Sequence, residues 1–135
     1  MEESMANGIQ EKPDEWRLIS TYSRSQAIED GELFDVTQAA REVGFIHPTA
    51  LTRAVWERYV KVPEAVPWQD QRGRLHDVVW MARCAASRAL DESSVTFALL
   101  VDNDGNGPQK VNLKAVVGPG DLGEPVITIM TPDED

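Results

Sequence analysis

Cysteine is nearly missing from this chain. Cys84 is the only one among 135 residues, so no intramolecular disulfide can form, which fits a reducing compartment. Histidine is almost as scarce. His47 and His76 are the only two, and neither sits at ligand spacing from the other or from Cys84, so no metal site is expected. No apolar run approaches the about 20 residues a membrane span needs. The first residues, "MEESMANGIQEKPDE", have neither the basic start nor the apolar stretch of a secretory signal. A cytoplasmic protein without a membrane partner is expected.

The catalytic fingerprints are missing too. There is no Gly-x-Ser-x-Gly elbow, no phosphate loop and no dinucleotide glycine pattern. Cys84 and His76 fall on one expected helix, about 12 Å apart along its axis, too far for a nucleophile and its base. "DNDGNG" at 102–107 begins like a calcium loop. The bidentate acid expected at its twelfth position would be Leu113, so a hairpin turn explains the Asn and Gly better. No cofactor is expected, and an enzyme with an unrecognised site ranks third among the readings.

Net positive charge is lacking as well: the formal charge is −10. It is concentrated at the ends, with −4 over residues 1–15 and −5 over 121–135, which leaves a nearly neutral body. Acidic ends of this kind are usually solvated tails. The expected division is a disordered acidic tail over 1–14, one domain over 15–131 and an acidic tail over 132–135.

The signals that are present are helical first and alternating later. "EWRLIST" (15–21) reads as a short strand or anchor. Ser23 or Ser25 caps a short helix "RSQAIED", Gly31 ends it, and "ELFDV" is a brief strand. Thr37 reads as the cap of a helix "QAAREV" that Gly44 stops. Pro48 suits the first position of a helix over about 49–61, with Leu51, Ala54, Val55 and Tyr59 on one face. Asp70 caps a long helix to about residue 90, striped by Leu75, Val78, Val79, Ala82 and Ala86. From residue 95 the period drops to two. Val95, Phe97, Leu99 and Val101 alternate, then Val111, Leu113, Ala115 and Val117, then "PVITIMT". The expected fold is α+β. Three to four helices (about 23–90) pack on a C-terminal three-stranded antiparallel meander (about 95–131), with a short N-terminal strand as an addition.

Two surfaces compete for function. "TQAAREVGFIHPTALTRAVWERY" (37–59) resembles the helix-turn-helix of arabinose-regulator-type transcription factors, where "VGF" precedes the recognition helix. That resemblance implies DNA contact through Thr49, Thr52 and Arg53 on helix 49–60. The tryptophans point elsewhere. Trp56 and Trp80 lie opposite the apolar faces of their helices, and a tryptophan left outside a core is a good interface anchor. Arg53, Trp56, Trp80 and Arg83 are therefore the candidate partner surface, for another protein or a second copy.

"YSRSQAIEDGELFDV" (22–36) concentrates Tyr22, Arg24 and several carboxylates. Acid and base roles need environments that separate two pKa values, and a helix with its capping residues accounts for the stretch more simply. Together with "AREVGF", "ALTRAVWERYV" and "QDQRGRLHDVVWM", it resembles an uncharacterised bacterial family of plasmids, phages and other mobile elements. The ordered blocks run from about residue 21 to 81. The resemblance implies a mobile-DNA setting and no reaction. The reading reached is a non-enzymatic accessory protein that binds another macromolecule, most simply a protein. A helix-turn-helix regulator is the alternative.

Overall fold

The computed structural model describes residues 23–134. Tyr22, the segment expected over 15–21 and the tail expected over 1–14 lie outside that range. In chain order the elements are α1 (Arg24–Glu29), β1 (Leu33–Asp35), α2 (Thr37–Glu42) and β2 (Thr49–Thr52). Next come α3 (Arg53–Val55, continuing as a π-helical turn over Trp56–Val60) and α4 (Gln71–Ala86). The strands β3 (Ser94–Val101), β4 (Gln109–Pro119) and β5 (Pro125–Met130) complete the chain. The fold is α+β, and the described residues form four helices and one five-stranded sheet in the order β1-β2-β5-β4-β3.

Local chemistry sets most of the boundaries. Ser23 is extended, and its hydroxyl accepts the Gln26 N–H, which opens α1. Gly31 (φ 80°) and Gly44 (φ 109°) leave α1 and α2 through backbone that side chains with a Cβ avoid. Asp70 accepts the Gly73 N–H at 2.7 Å and starts α4. That helix ends at Ala86, short of the expected residue 90. Beyond it Arg88 and Ala89 donate to carbonyls three residues back, a tightened final turn. Thr37 is a correction: it lies inside α2, and Val36 holds the cap position. The Thr37 hydroxyl donates to Asp35 at 2.6 Å and accepts the Thr49 N–H at 3.0 Å.

The sheet is mixed, which corrects the expected three-stranded meander. β3, β4 and β5 do form an antiparallel meander in the expected alternation. But β5 also pairs in parallel with β2, which pairs antiparallel with β1. The strand β2 replaces the first turn of the helix expected over 49–61, so Pro48 opens no helix. Thr49, Ala50 and Leu51 are all buried. A strand covered on both faces loses its alternation, and its apolar run then imitates a helix stripe. Pairing decides the matter: Leu51 lies opposite Phe34 on one side and Ile129 on the other.

One face of the sheet carries the main core. Leu51, Ile129, Leu113, Phe97 and Leu99 meet Ala40 of α2, Val55 and Val60 of α3, and Val78, Val79 and Ala82 of α4. On the opposite face Arg24 of α1 reaches β5, donating to the Thr128 hydroxyl at 2.7 Å and the Ile127 carbonyl at 2.8 Å. Near the end of the described residues Glu134 is held as well. Glu134 Oε1 accepts from the Thr52 hydroxyl at 2.7 Å and the Thr131 N–H at 2.9 Å, which pins the chain end to β2. No helix among the described residues is long and apolar enough to cross a membrane.

Candidate functional site

The site is built around Trp56. Thr52, extended at the end of β2, caps α3 by accepting the Val55 N–H. The helix then widens, with the Lys61 N–H bonding the Trp56 carbonyl five residues back at 2.9 Å. Such π-helical turns are rare and recur at functional sites. Here the turn keeps Val55 and Val60 buried while Trp56 stays at the edge of the core. The indole lies parallel to Phe34 of β1, ring centroids 4.5 Å apart.

Above Trp56 runs a groove of about 660 Å³ between α2 and the first turns of α4. Its floor is apolar, formed by Val36, Ala39, Leu75 and Trp56. Asp35, Gln38 and Glu42 stand along the α2 rim, and Asp70, Arg72 and His76 along the α4 rim. The volume is in the range of ligand cavities. His76, on the groove wall, has its ring parallel to that of Trp80 one turn further along α4, with centroids 6.3 Å apart. Trp80 is 47% exposed, and Trp68, in the loop before α4, is 70% exposed.

The residues singled out from the sequence fare differently. Trp56 and Trp80 flank one surface, joined by His76. Arg53 is exposed and pairs with Glu32 at 3.7 Å, outside the groove. Arg83 is half-buried and lies across Gly44, its Nε 3.0 Å from where a Cβ would stand, so it braces the turn after α2. The DNA-contact trio is dispersed. Thr49 is buried in β2, Thr52 is occupied by Glu134 and by the α3 cap, and only Arg53 is exposed. The segment 37–59 is thus helix, strand, helix, and helix 49–60 does not form as a continuous reading helix.

Sequence reasoning missed Asp35, Glu42, Arg72 and His76 as parts of one site. One signal was available: Arg72, His76 and Trp80 recur every four residues, which places them on one side of a helix. No comparable signal connects them to Asp35 and Glu42, which come from another element.

Two arginines are structural. Arg24, from the "YSR" stretch, is half-buried. Burial pushes its pKa down, opposed by Asp35, Asp121 and Glu124. Asp121, in the turn between β4 and β5, accepts the Arg24 and Ser25 N–H groups at 2.8 and 3.0 Å. These two backbone bonds lead the causes that hold its carboxyl below the ordinary value. Arg74, on the side of α4 facing β3, is buried. It donates to Asn103 Oδ1 at 2.6 Å, Gln69 Oε1 at 2.8 Å, and the carbonyls of Asp102 and Arg58 at 3.3 and 3.4 Å. Burial lowers its pKa, with Asp102 and Asp77 opposing. In the "DNDGNG" turn, Asp102 and Asp104 accept backbone N–H groups of Gly105 and Asn106. Asn103 is committed to Arg74 and the Arg58 carbonyl.

Compared with known families, residues 14–135 match the model described as "Family of unknown function (DUF6573)". No curated protein and no solved structure matches the chain.

Proposed function

Because the chain belongs to the DUF6573 family, whose function is unknown, we propose a function from its surface: it is a binding module that seats a segment of a partner protein in the groove between α2 and α4. The observation that carries this is an apolar groove bordered through His76 by exposed tryptophans. The groove over Val36, Ala39, Leu75 and Trp56 reaches His76, whose ring lies beside the exposed Trp80, and the exposed Trp68 lines an adjoining hollow that shares Asp70, Gly73 and His76. Large aromatics beside an apolar cleft are the usual anchors of an interface. The proposal includes an accessory role for a mobile genetic element, the setting implied by the family that the ordered sequence blocks resemble.

The groove also has features an acid–base catalyst would use, namely carboxylates and a histidine. Asp35 and Glu42 stand across the opening from His76, and Asp70, on the same rim as His76, is engaged by the Gly73 N–H that starts α4. The helix-turn-helix alternative loses support because Thr49 and Thr52 face the interior or other protein groups.

The test is affinity capture from host lysate, with and without nuclease, using the intact chain and Trp80→Ala. The expected result is a captured protein that survives nuclease and falls about tenfold with the variant. Capture abolished by nuclease, or indifferent to Trp80→Ala, would refute the reading.

A further inference from the structure

Resting on the groove as a peptide site, we infer that its occupant is a cationic amphipathic helix of the partner protein. The argument starts with backbone. Both walls of the groove are helices, α2 and α4, and apart from the N–H groups of their first turns their backbone is bonded within the helix, so an occupant receives no strand ladder. It must bind through side chains, which is how a helix lies in a groove: apolar residues on one stripe enter, and its polar flanks meet the rims. The floor offers that stripe Trp56, Leu75 and Ala39.

The rims set the sign of the flanks. Three carboxylates, Asp35, Glu42 and Asp70, face one guanidinium, Arg72. No ion pair among the described residues engages Glu42, Asp70 or Arg72. Asp35 and Asp70 each use an oxygen on a backbone N–H, and Asp35 also lies within electrostatic reach of Arg24, which still leaves three carboxylates against two guanidinium groups. The rims are therefore net acidic over an apolar floor, within a chain whose net charge is −10. Lys or Arg on the flanks of the entering helix complements them, and Glu or Asp there is repelled.

The experiment titrates the intact protein with two synthetic amphipathic helices, one of Leu and Lys and one of Leu and Glu, followed by amide NMR and calorimetry. The expected result is that the Leu/Lys helix binds, shifts the Ala39 and Gly73 amides, and loses at least about fivefold in affinity on Glu42→Lys. Asp91→Lys makes the same charge change beyond the far end of α4 and leaves that affinity nearly unchanged. Equal losses for the two variants would mean general attraction to an acidic protein and would overturn the inference. Groove shifts caused by the Leu/Glu helix instead would overturn the charge assignment while sparing the groove as a peptide site. Shifts that avoid Ala39 and Gly73 with both helices would overturn the inference and the binding-module reading together.

Discussion

At the scale of single residues, the chain's most consequential side chain is one that carries no surface function. Arg74 is 6% exposed and gathers Gln69, Asn103 and two main-chain carbonyls around one guanidinium. Among the described residues no group accepts from its Nε. The arrangement joins α4 to the end of α3 and to the β3–β4 turn. Removing the fork strands several acceptors that were organised around it. Arg74→Met is therefore expected to cost about 3 kcal/mol, measured by urea unfolding near neutral pH. Arg74→Lys should recover less than half of that, because an ammonium cannot span acceptors spaced for a planar fork. A loss below about 0.5 kcal/mol, the size of an ordinary surface change, would show that the hub contributes little. The sequence gives no sign of this role. Asn103 lies 29 residues from Arg74, in a turn whose Asn and Gly content already had a local explanation.

At the scale of elements, legibility followed the range of the deciding interaction. Ser23, Gly31, Gly44 and Asp70 act on backbone within a few residues, and each marks the boundary expected of it. The alternation of β3 and β4 was legible because one face of each points into the core. The strand β2 was not legible. Ala50, Leu51, Ala54 and Val55 fit a helical spacing, and only pairing with β5 far downstream makes residues 49–52 extended. The same error produced the apparent reading helix, since Thr49 and Thr52 looked exposed only on a helix. Gly44 offers a test of how tightly these elements are joined. Its φ of 109° and the Arg83 Nε 3.0 Å from a would-be Cβ both oppose a side chain. Gly44→Ala should destabilise by about 1–2 kcal/mol, and Arg83→Ala in that background should relieve the contact but not the backbone strain. Thermal unfolding of the native chain and the two variants separates the two contributions, and a neutral Gly44→Ala would mean that the turn has other conformations open to it.

At the scale of the whole molecule, the start of the described chain is tied to the C-terminal strands by charge-assisted bonds. Asp121 accepts two N–H groups at the start of α1, about a hundred residues earlier in the chain, and Arg24 extends the tie to β5. The acidity read from composition as a solvated end is thus partly a fastening. Asp133 is held locally instead, its carboxyl kept below the ordinary value chiefly by the Thr131 hydroxyl. The direction of the pH effect follows from linkage. A carboxyl whose folded pKa is depressed stabilises the fold above its unfolded value, about pH 4. That stabilisation is lost as the pH falls through the lower folded value. Acid should therefore release α1 from the sheet before the main core opens, since Val78, Leu113 and Ile129 depend on no carboxylate. The check is amide exchange at Ala27 against Leu113 as the pH is lowered toward about 3, with solvent exchange rates factored out. Ala27 should lose protection first in the native chain. In Asp121→Asn, whose amide oxygen still accepts one N–H but does not titrate in this range, the Ala27 protection should be lower at neutral pH and nearly flat into acid. An acid limb identical in the two proteins would move the fastening away from Asp121.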